Sequence, residues 1–582
     1  MSAMVRFFKK SGIFYTLGQE IPLPDRISRA DKKSSDSLES GKNRLLFTMG
    51  LFFLAFNVLC GKFVLMTVLT SQPHERVKQE DNKTYALELK MNRADIVDRN
   101  GVLLATSLPS ADLYVDAEKI KNPETIAAAL SETLPDLQYK PLLKKLKSKK
   151  NFIYIKRGLT PKEQYEVNRL GFPQLNFQHA ETRIYPQGAL VSHIVGTTDI
   201  DNHGIAGLEK TFNDRLSNQK EPVRLSLDIG VQDSVRSALL DSIAKYQAEG
   251  AAAVLMNAKT GEIVSMVSLP DYDPNNLKKA KKSDLFNTAS LGVYEVGSIM
   301  KLFNAAIGLD LKKVSVGDRI DASKPIVMAK HTITEPEEKN RRELTLPEIL
   351  IHSSNVGSAK IALAIGAEKQ KEYFRRFGFF DSANIELPER GRPLLPVRWR
   401  EVNTATAGYG YGVALTPVHV AAATAAIVNG GLYNPPSLVS KRASHEITGK
   451  RVISKKTSDI MRGMMRLVVT EGSGRKANVR GYEVGGKTGS AQKIVNGKYI
   501  ENTLRTSFVS AFPMDNPQYV LMVMLDAPKG IKETYNLNTA AWNAVPTAEK
   551  IIAAVAPQLG ITPRPFESKQ AAPYVKTLLN MR

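Results

Sequence analysis

Ser298 and Lys301 are the residues whose types and spacing best suit covalent chemistry. Ser298 stands just ahead of the mostly apolar run 301–309, which predicts a helix, so Lys301 follows one turn later on the same face. A helix N-terminus adds partial positive charge and free N–H groups near such a hydroxyl. A partly desolvated lysine can accept the proton of a serine. The pair is therefore a candidate nucleophile and general base for forming an acyl-enzyme.

The Ser-X-X-Lys spacing alone is not specific, because it recurs at Ser217, Ser242, Ser473 and Ser490. Two elements downstream of Ser298 make it the strongest candidate. They are Ser353-Ser-Asn355 and Lys487-Thr488-Gly489-Ser490. A Ser-X-X-Lys, a Ser-X-Asn-type element and a Lys-Thr-Gly are the motifs of serine enzymes that react with β-lactams. The sequence therefore predicts one groove lined by all three elements.

Two further matches to these motifs are set aside. Lys259-Thr-Gly261 lies between the apolar runs 251–256 and 263–267, so it predicts a hairpin turn, and it precedes Ser298. Ser382-Ala-Asn384 lies in a polar segment, whereas Ser353 leads into a helix-like run. Only the set containing Ser298, Ser353 and Lys487 has both the order and the surroundings that the chemistry needs.

The composition excludes several classes of protein. A chain of 582 residues, 43% hydrophobic and 24% charged, exceeds one ordinary core and predicts two or more globular domains. A single cysteine, Cys60, excludes an internal disulfide framework. The net charge of +22 suggests an anionic partner, but no zinc-finger spacing, RNA-binding aromatic signature or basic heptad region accompanies it. We therefore expect no nucleic acid, and instead anionic lipids and an anionic cell-wall polymer.

The N-terminal residues predict a membrane anchor. Residues 1–44 form a basic polar tail, and residues 45–69 are apolar apart from Lys62. About 20 apolar residues span a bilayer, whereas the apolar region of a cleaved signal peptide has only about 7 to 15. We therefore predict an uncleaved transmembrane helix at 45–69. Basic residues ahead of the helix place the N-terminus in the cytoplasm and the rest of the chain outside.

Two extracytoplasmic regions follow the anchor. Residues 70–220 contain a predicted hairpin at 93–105 and a helix at 123–134, but neither a nucleophile–base pair nor metal-ligand spacing, so this region is expected to position rather than catalyse. Residues 221–565 predict an antiparallel sheet flanked by helices with an inserted all-helical lobe, followed by a tail at 566–582. The elements predicted in this region are strands at 223–228, 251–256, 263–267, 482–486, 506–513 and 519–525, helices at 231–246 and 546–555, and tight turns at 408–417.

The chain resembles the class B penicillin-binding proteins, the monofunctional peptidoglycan D,D-transpeptidases, over nearly all of residues 45–560. The three motifs carry this likeness, and segments 353–357, 408–417 and 540–546 are most similar to the septal branch of the family. Three positions depart from the family pattern, namely Val296, Thr288 and Ser490. The other segments that fit are the anchor, 93–105, 183–186, 207–209, 225–232 and 286–287.

The resemblance implies a fold, a location and partners. It implies a dimerisation-type pedestal domain that carries a β-lactamase-like transpeptidase domain, held at the bacterial inner membrane by one helix, with the catalytic domain in the periplasm. The expected partners are peptidoglycan stem peptides on nascent glycan strands, β-lactam antibiotics, a glycan polymerase of the SEDS type and other divisome membrane proteins. No cofactor and no metal is expected.

The chemistry and the matched positions together predict the residue roles. Ser298 attacks the penultimate D-Ala carbonyl, Lys301 accepts its proton, and Ser353 relays a proton to the leaving D-Ala. Asn355 orients Lys301 and the substrate amide, and Lys487 supplies positive potential. The residues predicted to bind the substrate are Thr488, Gly489 and Ser490.

Four alternatives remain open from the sequence. An elongation-type class B transpeptidase would share every motif. A β-lactamase would need neither the anchor nor about 150 residues of pedestal. A receptor acylated by β-lactams would carry a cytoplasmic effector larger than a 44-residue tail. A non-catalytic divisome scaffold would not need all three motifs intact.

Overall fold

The chain divides into two units, residues 1–90 and 91–582. The computed structural model describes residues 47–60, 62, 93–148, 150–328, 331–335, 337–441, 449–495 and 497–564. In the first unit, residues 47–60 and 62 are helical and exposed. Among the residues described, no helix has both the length and the hydropathy needed to cross a membrane. The rest of the predicted anchor and both predicted tails lie outside the described residues, so these remain predictions.

A five-stranded sheet forms the body of the region predicted as the pedestal. Its elements are β1 Ile96–Val97, β2 Leu103–Val115, α1 Pro123–Thr133, α2 Tyr139–Leu146, β3 Ile153–Leu159, α3 Pro161–Arg169, β4 Leu175–Ile184, α4 Ser192–Val195, β5 Thr197–Thr198, β6 Gly204–Ala206, α5 Gly207–Thr211, α6 Asn213–Asn218 and β7 Val223–Arg224. The long strand β2 pairs antiparallel with β1, β3 and β4, and β1 pairs in parallel with β7. Helices α1 to α3 pack on this sheet around Leu113, Leu130 and Ile155.

The predicted hairpin at 93–105 and the helix at 123–134 are both confirmed. Strands β1 and β2 meet at a turn in which Gly101 has a φ of +90°, a conformation that glycine adopts without steric cost. The Asp98 carboxylate accepts the N–H groups of Asn100 and Val102, each at 2.8 Å. A local side-chain bond of this kind stabilises the turn at a fixed register.

A buried ion cluster lies at the base of the pedestal. The carboxylate of Glu209, which is fully buried, accepts the Nε of Arg93 at 2.6 Å and the Nε of Arg183 at 2.7 Å. Arg183 also donates to the backbone oxygens of residues 93 and 94. The hydrophobic core around this cluster continues from Ile96 and Leu104 into the sheet of the following region. A domain boundary at residue 220 therefore stays a prediction.

The second region is organised around a five-stranded antiparallel sheet. Its elements are α7 Ile229–Tyr246, β8 Gly250–Asn257, β9 Ile263–Leu269, β10 Tyr294–Glu295, α8 Met300–Asp310, β11 Arg319–Asp321, β12 Ile326–Met328, β13 His331–Ile333, β14 Glu343–Thr345, α9 Leu346–Ile351, α10 Asn355–Ile365, α11 Ala367–Arg376, α12 Glu401–Ala407, β15 Ala414–Leu415, α13 Pro417–Val428, β16 Leu432–Tyr433, β17 Lys450–Arg451, α14 Lys455–Thr470, β18 Gly485–Val495, β19 Lys498–Phe512, β20 Tyr519–Asp526 and α15 Ala544–Gln558. The strand order is β18-β19-β20-β8-β9.

Both faces of this sheet are covered by helices. Leu255 and its odd-numbered neighbours in β8 pack with α7 and α15, whereas Val254 and the even-numbered ones pack with α8 and α13. Because successive strand residues point to opposite faces, a strand covered on both sides must be apolar throughout. This explains the unbroken apolar run at 251–256.

Several predicted bounds differ from those observed. The predicted strand at 482–486 is wrong in extent, because β18 begins at Gly485 and continues through the Lys-Thr-Gly element to Val495. Its partner β19 begins at Lys498, before the predicted 506–513. The outer halves of both strands are exposed and rich in polar residues, so they lack the apolar pattern that a sequence analysis detects. The predicted strand at 223–228 is confined to Val223–Arg224.

The inserted lobe is not all helical, which corrects that prediction. Helices α8 to α12 form most of it, but β11 pairs with β14 and β12 pairs with β13 in two small antiparallel sheets. Strands of three residues are too short for an alternating pattern to be recognised in the sequence. These small sheets lie immediately before the Ser353 motif in the chain.

Candidate active site

Ser298 lies in a single 3-10 turn, Gly297–Ile299, that leads directly into α8. The predicted helix at 301–309 is confirmed, and it begins one residue earlier, at Met300. Gly297 has a φ of +56°, and a Cβ added there would lie 2.7 Å from the carbonyl oxygen of Ser490. A Cβ added at Gly410 would lie 1.9 Å from the carbonyl oxygen of Gly297. The two glycines therefore allow strand β18 and the loop at 408–412 to close around the serine.

The Nζ of Lys301 lies at the centre of a hydrogen-bond network. It is 2.9 Å from the Oγ of Ser298, 2.6 Å from the backbone oxygen of Ser353, 3.1 Å from the Oγ of Ser353 and 2.7 Å from the Oδ1 of Asn355. A backbone carbonyl and an amide oxygen can only accept hydrogen bonds. A neutral amine that donates its two N–H groups to those oxygens keeps its lone pair for the hydroxyl of Ser298. This arrangement suits proton abstraction.

The Ser353 motif lies where α10 begins. Ser354 is the N-cap of α10, and its Oγ accepts the N–H of Gly357 at 2.9 Å. Ser353 precedes the cap with a φ of +57°, in the left-handed region that non-glycine residues rarely occupy. That conformation accompanies the approach of both its backbone oxygen and its hydroxyl to Lys301. Asn355 opens the helix and reaches Lys301 through its side-chain oxygen.

Lys487 approaches the same hydroxyl from the edge strand β18. Its Nζ lies 3.1 Å from the Oγ of Ser353, so Ser353 lies between the two lysines. It also donates to the backbone oxygen of Thr488 at 3.2 Å. The structure therefore brings Ser298, Lys301, Ser353, Asn355 and Lys487 into one continuous network.

Burial controls the charge of both amines. Lys301 and Lys487 are 1% and 0% exposed. Burial first, and then the positive charge of Lys487, hold the pKa of Lys301 well below its usual range, while the carboxylate of Glu335 acts in the opposite direction. Burial lowers the pKa of Lys487 to about 7. Burial favours the uncharged amine because the charged form loses its hydration. Burial thus makes the neutral amine of Lys301 more available as a base and brings the titration of Lys487 close to neutral pH.

The three predicted substrate-binding residues lie along β18. The Oγ1 of Thr488 lies 2.7 Å from the Oγ of Ser473 and 3.5 Å from the Nζ of Lys487. A Cβ added at Gly489 would lie 2.2 Å from the carbonyl oxygen of Val296, so only glycine fits beside the nucleophile turn. Ser490 is adjacent to Gly297 through its backbone, but its hydroxyl accepts the N–H of Ala540 at 3.1 Å.

Neither of the motif matches that were set aside enters this network. Lys259-Thr-Gly261 forms the turn between β8 and β9, as predicted, and Gly261 has a φ of +77°. Ser382 lies in a loop after α11. In the described part of the chain, no group of three or more His, Cys, Asp or Glu side chains is placed to hold a metal ion.

Two residues beside the network were missed by the sequence analysis. Ser473 was treated only as a Ser-X-X-Lys decoy, although its hydroxyl contacts Thr488. Its position between Gly472 and Gly474, ahead of the Lys-Thr-Gly element, was the available signal. Glu335 lies behind Ser354, within 2.6 Å of its hydroxyl. No motif marked Glu335, because its segment is one of several acidic stretches in the chain.

Two family models match separate parts of the chain. The penicillin-binding protein transpeptidase domain matches residues 251–552, and the penicillin-binding protein dimerisation domain matches residues 88–230. A probable peptidoglycan D,D-transpeptidase FtsI of Caulobacter vibrioides is 34% identical over 490 residues, which cover 82% of this chain and 83% of that protein. Stage V sporulation protein D of Bacillus subtilis is 31% identical, with 90% of this chain and 87% of that protein covered. The chain belongs to the class B penicillin-binding proteins.

Solved structures share the fold at lower sequence identity. A peptidoglycan synthetase from Bifidobacterium adolescentis superposes with a TM-score of 0.65 at 20% identity, over 83% of this chain and 98% of that one. Penicillin binding protein 3 from Mycobacterium tuberculosis, in complex with aztreonam, superposes with a TM-score of 0.64 at 24% identity, over 81% and 97%. These likenesses support the multidomain α+β architecture.

Proposed function

We propose that this protein is a serine-type peptidoglycan D,D-transpeptidase that crosslinks stem peptides during septal cell-wall synthesis and is acylated by β-lactams. The observation that carries the proposal is the position of the Lys301 amine, 2.9 Å from the Ser298 hydroxyl and held there by Ser353 and Asn355. The family and the names of its relatives support the same reaction.

Acylation begins with proton transfer from Ser298 to the neutral amine of Lys301. The serine oxygen attacks the penultimate D-Ala carbonyl of a stem peptide, or the carbonyl of a β-lactam ring, and an ester forms. The hydroxyl of Ser353, which contacts both lysines, passes a proton to the leaving amine. An acceptor amine from a second stem peptide then attacks the ester and releases Ser298.

Strand β18 provides the substrate edge in this proposal. The substrate lies along the strand beside Gly489, and Lys487, Thr488 and Ser490 face its terminal carboxylate. The N–H groups of Ser298 and Ser490 form the oxyanion hole, because the nucleophile turn approaches the backbone of Ser490 so closely that a Cβ added at Gly297 would lie 3.3 Å from the Ser490 nitrogen. Loss of one oxyanion donor typically costs about 10² to 10³ in rate.

The cellular setting is proposed from the sequence and the relatives. Residues 45–69 anchor the chain in the inner membrane, residues 1–44 stay in the cytoplasm, and the domains at 70–220 and 221–565 work in the periplasm. The relative named FtsI in Buchnera aphidicola, 29% identical over 90% of this chain, supports a septal role. A glycan polymerase of the SEDS type and other divisome membrane proteins are the proposed partners. Depletion of the protein should give filamentous cells, whereas an elongation role would give rounded ones.

The nucleophile is tested by labelling with a fluorescent penicillin. Wild-type protein should form a covalent adduct, and Ser298→Ala should form none. Ser217→Ala is the matched control, because Ser217 opens another Ser-X-X-Lys on an exposed helix and should leave labelling unchanged. A labelled Ser298→Ala variant would contradict the assignment. A wild-type protein without label would favour the scaffold, and release of the acyl group within seconds would favour a β-lactamase.

A further inference from the structure

Glu335 is a buried carboxylate behind the Ser353 motif, and the acylation steps above do not use it. It follows β13 in the inserted lobe and is 7% exposed. Its Oε1 accepts the hydroxyl of Ser354 at 2.6 Å and the N–H of Val356 at 2.8 Å. Its second oxygen, Oε2, is buried without a hydrogen-bond partner among the described residues. A buried carboxylate with one unbonded oxygen is costly unless a nearby charge compensates it.

The segment that carries Glu335 fixes the geometry of the motif. The backbone oxygen of Thr334 accepts the Nδ2 of Asn355 at 3.4 Å, while Glu335 binds Ser354 and Val356. Ser354, Asn355 and Val356, which follow Ser353 in the chain, thus each form a hydrogen bond to Thr334 or Glu335. This anchoring accounts for the left-handed conformation of Ser353, through which its backbone oxygen meets Lys301.

Glu335 also affects the charge of Lys301. The charged groups that face Lys301 are Lys487, from β18, and Glu335, from the segment after β13. The other neighbours of Lys301 are the neutral side chains of Ser298, Ser353 and Asn355. The carboxylate of Glu335 favours the protonated form of Lys301, in opposition to burial and to the positive charge of Lys487.

We propose that Glu335 is a positioning residue of acylation: it anchors the turn that presents Ser353 and Asn355 to Lys301, and its negative charge offsets part of the positive charge around Lys301. The inference rests on the proposed acylation of Ser298. It assigns to the lobe a direct part in the pH range over which the enzyme is acylated.

The test is the pH profile of acylation by a fluorescent penicillin in the full-length protein. Glu335→Gln keeps an oxygen that can accept from Ser354 and Val356 but removes the negative charge. Without that charge the protonated form of Lys301 is less favoured, so the acid limb of the profile, which reports loss of the proton from Lys301, should move to lower pH. Glu338→Gln removes an equal charge from an exposed side chain in the same segment and should leave the acid limb in place.

A second variant separates charge from anchoring. Ser354→Ala keeps the carboxylate but removes its bond to Ser354 and the cap bond to Gly357, so acylation should slow at every pH while the acid limb stays where it is in the wild type. An acid limb that does not move in Glu335→Gln, or that moves in Ser354→Ala, would overturn the inference. Acylation of Ser354→Ala at the wild-type rate would overturn the anchoring role whether or not Glu335→Gln folds. Failure of wild-type labelling, or labelling of Ser298→Ala, would instead refute the proposed function.

Discussion

At the scale of single residues, the decisive feature is a buried lysine, Lys301, whose pKa is held well below its usual range by burial and by the charge of Lys487. The Nζ of Lys301 has two neighbouring oxygens that only accept hydrogen bonds, and its other neighbours are the hydroxyls of Ser298, at 2.9 Å, and of Ser353, at 3.1 Å. Burial makes the uncharged amine available, and the geometry directs its lone pair to the serine. Proximity and protonation state together make this serine, among the five in Ser-X-X-Lys spacing, the nucleophile we propose.

Replacement of Lys301 by methionine tests this role. Lys301→Met keeps the approximate length and removes the base, so acylation by penicillin should slow by about 10² to 10⁴, the usual contribution of general base catalysis. Thermal unfolding should be unchanged or shifted to higher temperature, because an apolar side chain replaces a buried amine. The measurement is the acylation rate together with the unfolding temperature. A normal rate in a folded variant would exclude Lys301 as the base.

The pH dependence of substrate binding follows from Lys487. Its pKa of about 7 lies below that of an exposed lysine because it is buried, so its positive charge is present below about pH 7 and is lost above it. Affinity for the carboxylate of a penicillin should therefore fall as pH rises through about 7. The measurement is the pH dependence of the acylation constants of wild type and Lys487→Met. The variant should bind weakly at every pH and lack this step.

As pH rises, Lys487 affects the stability of the fold and the affinity for substrate in opposite directions. The unfolded chain keeps a lysine of ordinary pKa, so between about pH 7 and about 10.4 it binds more protons at this residue than the folded protein. The contribution of Lys487 to the free energy of unfolding therefore rises with pH across that window. The unfolding temperatures of wild type and Lys487→Met should converge as pH rises.

At the scale of elements, a turn, the N-terminus of a helix and an edge strand meet at the site. The nucleophile turn ahead of α8, the first turn of α10 and strand β18 each contribute one motif. Close approach of the turn and the strand depends on residues without a Cβ, namely Gly297 and Gly489. The glycines are therefore as necessary to the geometry as the reacting groups.

Gly297→Ala should disturb the packing of the nucleophile turn against β18 while every reacting side chain is kept. The added methyl group would meet the backbone of Ser490 at 2.7 Å in a left-handed conformation that costs about 1–2 kcal/mol for an L-residue. We expect a lower unfolding temperature and slower acylation with every reacting side chain present. Gly317→Ala is the control, because a Cβ there meets no atom within 4 Å. Equal behaviour of the two variants would show that the approach of turn and strand is not tight.

At the scale of the whole molecule, the pedestal base and the catalytic sheet share one hydrophobic core. Glu209 joins Arg93 and Arg183 at the base of that core, and all three side chains are buried. A buried carboxylate with two guanidinium partners is stable only while both remain, because the charges are out of water. The cluster therefore ties the segment ahead of β1 and the end of β4 to helix α5.

Glu209→Ala should unfold this junction. Removal of one partner from a buried ion pair costs about 3–5 kcal/mol. The expected result is a markedly lower unfolding temperature, with penicillin labelling lost at a temperature where the wild type is still labelled. Glu372→Gln, on an exposed helix face, should change neither property measurably. An unfolding temperature for Glu209→Ala within about 1 °C of the wild type would contradict the proposed contribution of the cluster.

The three motifs, the hairpin at 93–105, the helix of the nucleophile and the turn between β8 and β9 could be predicted from the amino-acid sequence, because they depend on local spacing and on apolar periodicity. The resemblance to the family could also be recognised from motifs in the sequence. The outer half of the β18–β19 hairpin, the small sheets of the lobe and the positions of Glu335 and Ser473 beside the network could be found only in the folded chain. Strand partners, buried charge and contacts between segments far apart in the chain are set by packing, which no local pattern records.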